Sequence, residues 1–192
     1  MEDPHFIIDI MYARKNNMSG QAVYKDVGYG NNAYMRPQMK QALLSLIPVL
    51  EENRLKMRVC DAYRPPAAHR RLLEIIPVEG FFAKDYNLSN HCHGTAVDVC
   101  LTDLEGNNLD YPTEIDAYDE RFRQQILQKQ FSEFFEHLKK ARHDYAGASP
   151  KQIKNREFLK NLMETHGFEA IPHEWWHYNL AGWRNYPVIK WD

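Results

Sequence analysis

The sequence predicts an α+β fold in which an antiparallel sheet carries helices against one side. Three observations lead there. Several short segments have the apolar alternation or β-branched and aromatic content of strands, longer ones repeat apolar residues at helical spacing, and the two kinds are not regularly interleaved as a doubly wound fold requires.

Pro37 to Glu52 puts Met39, Leu43, Leu44, Ile47 and Leu50 on one helical stripe, with Pro48 expected to kink the last turn. Leu55, Met57 and Val59 then alternate with Lys56, Arg58 and Cys60, the period of a half-buried strand. Arg64-Pro65-Pro66 keeps the backbone extended beyond it, so Asp61 and Arg64 fall at a strand end. Ala67 to Ile76 reads as a short helix and Thr95 to Leu101 as a strand. Asp119 to Ala141 reads as a longer helix with Phe122, Ile126, Phe131, Phe134, Phe135 and Leu138 on or near its buried face. Ser149 and Pro150 supply an N-cap and first helical residue, and His166-Gly167 supplies the close of that helix. Phe168 to Ile171 and Trp175 to Leu180 complete the strands. Asn16 to Asn32 and Thr102 to Asp119 are irregular, and long loops in a compact domain are usually functional.

At 192 residues the chain fits one domain spanning 1–192. Its 44% hydrophobic content beside 26% charged residues is that of a chain that folds unaided. The net charge of −2 is spread along the sequence, which removes the basic stripe that nucleic acid requires as a partner. No apolar run approaches the roughly 20 residues of a membrane span. The start, Met1-Glu2-Asp3-Pro4, is acidic where a signal peptide is basic. The chain as it stands therefore reads as cytoplasmic, and as periplasmic if an export signal has been removed; oligomeric state stays open. Cys60 and Cys100 lie in expected strands and Cys92 in the densest motif. They read as buried free thiols, with a Cys60–Cys100 disulfide left open because neighbouring strands can bring the two together.

That motif is Ser89-Asn90-His91-Cys92-His93-Gly94-Thr95-Ala96-Val97-Asp98, in which a turn at Gly94 can return His91 to the side of Asp98. Zinc takes imidazole nitrogen and carboxylate oxygen, and catalytic sites commonly keep three protein ligands and one position for water. The second cluster, His173-Glu174-Trp175-Trp176-His177-Tyr178, offers a third ligand in His177. It also offers Glu174, close enough to serve as general base without binding the metal. Arg64, always charged, suits the oxyanion that develops in peptide hydrolysis. Each of these residues has an ordinary structural role when taken alone. A lone histidine is a satisfied core or surface residue, Arg64 a partner of Asp61, and Trp175 and Trp176 core and surface packing. His69, His137, His143 and His166 are read as structural, and so is His93, although it shares a strand face with His91 and can compete with it.

The three motifs together resemble the zinc D-alanyl-D-alanine dipeptidases of the vancomycin-resistance type, within the D-Ala-D-Ala metallopeptidases. Ser-x-His-x-x-Gly-x-Ala-x-Asp matches at Ser89, His91, Gly94, Ala96 and Asp98. Glu-x-x-His matches at Glu174 and His177 with the tryptophans between them, and Tyr-Arg-Pro at Tyr63, Arg64 and Pro65. The resemblance implies a small antiparallel sheet with flanking helices and one zinc ion in a cleft on the sheet. It implies His91, Asp98 and His177 as ligands, Glu174 as base and Arg64 as carbonyl stabiliser. It adds Asp116 as anchor of the substrate amine, with Ser89 and Tyr12 as further substrate contacts, and a small dipeptide, D-alanyl-D-alanine, as the partner. Two rivals share these motifs: a D,D-carboxypeptidase or peptidoglycan endopeptidase with a more open cleft, and a zinc-binding module without catalysis.

Overall fold

A computed structural model describes residues 3–116, 124, 125, 128 and 132–190. Five strands form one sheet: β1 (Phe6–Ile8), β2 (Lys56–Asp61), β3 (Ala96–Thr102), β4 (Phe168–Ile171) and β5 (Glu174–Leu180), in the order β1-β2-β3-β5-β4. The α+β class and the antiparallel pairing hold for β2, β3, β5 and β4, whereas β1 joins the edge parallel to β2. A strand of three residues is too short for its period to be read from sequence.

The helices are α1 (Val23–Asp26), α2 (Pro37–Leu44), α3 (Ile47–Glu52), α4 (Pro66–Ile75), α5 (Ser132–Ala141) and α6 (Pro150–Glu164). The single kinked helix expected over Pro37 to Glu52 is two helices, because Pro48 has no N–H to give the carbonyl of Leu44 and its ring crowds that turn. Of the expected Asp119 to Ala141 helix, Phe122, Ile126 and Phe131 lie outside the described residues. Phe134 is fully buried, but Phe135 is exposed, one residue round the helix from it. The start of α6 is a reciprocal cap: Ser149 Oγ accepts from the Gln152 backbone N–H at 3.2 Å, and Gln152 Oε1 accepts from that of Ser149 at 3.0 Å.

Every residue of the central strand β3 is buried. Val97, Val99 and Leu101 point to one face, while Ala96, Asp98, Cys100 and Thr102 point to the other, where Cys100 also joins the core. The second face is therefore covered rather than bare. Trp175 and Trp176 are both 1% exposed, so neither is a surface residue. Trp175 stacks on Tyr111 with ring centroids 4.0 Å apart and donates its indole N–H to Thr113 Oγ1 at 2.9 Å. Cys60, Cys92 and Cys100 are buried free thiols, and the open Cys60–Cys100 disulfide is not formed. Among the described residues no helix is long and apolar enough to cross a membrane.

Candidate active site

Register builds the base of the site. Asp61 of β2 lies opposite Asp98 of β3, and Asp98 lies opposite His177 of β5, so three polar residues form one row across three strands on the same face. The row depends on a bulge. Val59 pairs with Val99 and Asp61 with Asp98, leaving Cys60 as the extra residue; an unbroken ladder would put Cys60 opposite Asp98 and turn Asp61 to the other face.

His91 reaches the row from the turn before β3. The Gly94 backbone N–H donates to the His91 carbonyl at 3.0 Å with Gly94 at φ +68°, which a glycine adopts without strain. A Cβ on Gly94 would lie 2.7 Å from Ile189 Cδ1, so the segment after β5 packs directly on the turn. His91 Nδ1 donates to the Ala62 carbonyl at 2.7 Å, and His177 Nε2 donates to Asn179 Oδ1 at 3.0 Å. These bonds fix both tautomers and leave His91 Nε2 and His177 Nδ1 as lone pairs only 3.2 Å apart, each facing Asp98 Oδ1, at 3.5 and 3.0 Å. Two lone pairs and a carboxylate oxygen converging in a buried spot call for a cation between them, and His91, Asp98 and His177 can hold a metal ion there. Burial opposes the charge on Asp98, but positive charge on the histidine side of the cluster outweighs it and holds the carboxyl well below the usual carboxylate range.

Glu174 starts β5 with its carboxylate 3.8 Å from His177 Nδ1 and its side chain 16% exposed. Burial, reinforced by Asp116 and Asp98, pushes its pKa up to about 8. Arg64 follows β2 and is buried, with Nη2 donating to Asp61 Oδ2 at 2.8 Å. Asp116, in the irregular Thr102 to Asp119 stretch, is buried at a left-handed φ of 35°, one of the few non-glycine residues held so. Burial, with the Asp98 charge next, raises its carboxyl to about 6.

Of the residues singled out in the sequence, His91, Asp98, His177, Glu174, Arg64, Asp116 and Ser89 line one cavity of about 230 Å³. That is below the roughly 300–1,000 Å³ of sites for drug-sized ligands, so the cavity is built for something small. Tyr12 is fully buried behind the wall, where its hydroxyl donates to Asp116 Oδ2 at 2.8 Å. His93 is turned away, its ring against Trp183 and Nδ1 directed at the Tyr186 carbonyl, so it does not compete with His91.

Some residues of the site were not singled out. His69, read as structural, lines the cavity with Nε2 bonded to the Ala83 carbonyl at 2.8 Å; burial and then Arg64 lower its pKa to about 4, so it is neutral. Phe81 and Phe82 supply apolar wall from a loop with no periodicity. Asn179 stands two residues beyond His177 in the same strand, and that spacing alone places it on the face of His177.

Residues 129–187, which include Glu174 and His177, match the Peptidase_M15 family model, described as D-ala-D-ala dipeptidase. The chain is 28% identical over 187 residues to a D-alanyl-D-alanine dipeptidase of Escherichia coli (strain K12), an alignment covering 97% of this chain and 84% of that protein. It is 26% identical over 192 residues to a D-alanyl-D-alanine dipeptidase of Enterococcus faecium, covering 90% and 84%. Similarity along most of the chain to these dipeptidases, joined to a buried cluster suited to a metal, makes the protein an enzyme of the metallopeptidase kind.

Proposed function

We propose that the protein hydrolyses free D-alanyl-D-alanine to two D-alanines with one zinc ion held by His91, Asp98 and His177. Asp116 carries this reading. Its Oδ1 is buried without a hydrogen-bond partner among the described residues, in the wall of the cavity that also holds the His–Asp–His cluster. A buried acceptor left unpaired costs about 1–3 kcal/mol, more when charged, and a substrate ammonium removes that cost. A longer peptide would bring an amide where a cation is wanted, which restricts the enzyme to dipeptides.

Zinc suits the donor set. A tetrahedron of about 2.0–2.1 Å bonds has ligand atoms about 3.3 Å apart, and the three separations here are 3.0, 3.2 and 3.5 Å. When bound, zinc supplies Lewis acidity that polarises a carbonyl and acidifies water. Glu174 takes the proton of the attacking water and delivers it to the departing amine, and its carboxyl, raised toward neutrality, can both accept and release it. Arg64 directs its free N–H groups at the carbonyl oxygen as negative charge develops. Asp116 anchors the ammonium, Tyr12 steadies Asp116, and Ser89 contacts the substrate from the His91 side of the cavity.

One feature favours a second reading, a D,D-carboxypeptidase or endopeptidase. A groove of about 420 Å³ walled by Phe135 and Leu138 shares Phe81, His173 and Glu174 with the cavity and could receive a longer chain. Release of D-alanine from D-Ala-D-Ala, set beside a muramyl-type peptide and repeated with chelator and restored zinc, decides between them. Chelator-sensitive cleavage of the dipeptide alone supports the first reading. Cleavage of only the longer peptide supports the second, and cleavage of neither by zinc-loaded protein leaves a binding module.

A further inference from the structure

Asp61 is fully buried and its carboxylate is divided between two duties. Oδ1 accepts the Tyr24 hydroxyl at 2.6 Å and the Ala62 backbone N–H at 2.9 Å, while Oδ2 accepts Arg64 Nη2 at 2.8 Å. Arg64 lies over the rings of Tyr12 and Phe82, at 5.3 and 5.2 Å, and these contacts fix the plane of the guanidinium. Rotation within that plane is left to Asp61 and to the Tyr24 hydroxyl beside it, because Arg64 Nε has no partner among the described residues. The orientation of the Asp61 carboxylate is in turn set by Tyr24, whose ring packs on Tyr12 and Tyr29 at 5.7 and 5.0 Å. Burial, with Asp61 adding to it, raises the Tyr24 phenol well above its ordinary pKa, so it remains a donor.

We infer that Tyr24 is a positioning residue for the reaction: through Asp61, and from beside the guanidinium itself, it aims Arg64 at the carbonyl oxygen without touching substrate. Tyr24 is fully buried and outside the cavity lining, so any effect on turnover must pass through a neighbour. The inference rests on the role given to Arg64 above. It places a determinant of catalytic rate in the short helix α1, inside a stretch that sequence reads as irregular.

Steady-state kinetics on D-Ala-D-Ala with Tyr24→Phe, Arg64→Ala and the double variant, each checked for bound zinc, test it. Tyr24→Phe keeps the packed ring and removes only the hydroxyl. The expected result is a kcat loss of roughly 10- to 100-fold, the range for outer partners of a catalytic group. KM and zinc content should be little changed, and Tyr24→Phe should cause no further loss in the Arg64→Ala background. An equal loss in both backgrounds would mean a merely structural hydroxyl and overturn the inference, as would an unaltered kcat. Should Tyr24→Phe fold poorly, Asp61→Asn reports on the same link and must lower kcat at unchanged zinc. An inactive Arg64→Ala beside a fully active Tyr24→Phe sinks this inference alone. An Arg64→Ala protein of undiminished kcat sinks the reading of Arg64 and this inference together.

Discussion

The Tyr12 hydroxyl donates to one oxygen of Asp116 at 2.8 Å, and the other oxygen of that buried carboxylate meets no partner among the described residues. Asp116→Asn keeps the shape and removes the charge. A charged hydrogen bond is worth about 1.5–3 kcal/mol, so KM for D-Ala-D-Ala should rise roughly 10- to 100-fold. Tyr12→Phe should have a smaller effect of the same kind. An N-acylated dipeptide, which offers no ammonium to anchor, should be a poor substrate of the parent and Asp116→Asn proteins alike.

The same carboxylate gives the enzyme an acid limb. Burial and Asp98 bring Asp116 to about 6, above its ordinary value, so it is protonated below that pH and ionised above it. Anchoring an ammonium needs the ionised form. Glu174, raised to about 8, must also be ionised to act as base, so kcat/KM on the dipeptide should fall in two steps as pH drops, through about 8 and then about 6, and Asp116→Asn should remove only the lower step.

Asn179 fixes the tautomer of His177 and is itself held by the Asn90 amide at 2.7 Å. Asn179→Ala should weaken zinc binding about 10- to 100-fold, as loss of a partner behind a metal-binding imidazole does. Competition against a chromophoric chelator measures this, and a thermal melt should show the fold retained.

Gly94→Ala brings two costs, a left-handed φ and a 2.7 Å approach to Ile189 Cδ1. Together they should destabilise the protein by about 1–2 kcal/mol. At about 2–4 °C per kcal/mol for a chain of this size, differential scanning calorimetry should show Tm lower by roughly 2–8 °C. Zinc affinity should drop with it, since the turn carries His91.

What the sequence made legible was chemistry with a local signature. The spacing from His91 to Asp98 across a glycine, and from Glu174 to His177, could be read because each pair spans a turn or a strand start. The structure brings those residues together. Alternation marked β2, strand-like composition marked β3, β4 and β5, and Ser149-Pro150 marked the start of α6. The bulge at Cys60 left no mark, because inserting one residue in a ladder depends on the partner strand. Nor could the Ala62 carbonyl that orients His91 be read, since any residue has a carbonyl. Tyr24 stood in a stretch without period, and its hydrogen bond to Asp61 spans 37 positions.

The contacts that assemble the site join residues 29, 79, 86 and 104 positions apart. Each of the three residues in the cross-strand row belongs to a different strand, so no contiguous fragment carries a reduced version of the site. Competence should then appear in one step, when the sheet closes, and vanish in one step when it opens. A nicked or half-folded chain would be inert rather than a loosely selective protease, and recovery of activity during refolding should coincide with the pairing of β3 and β5.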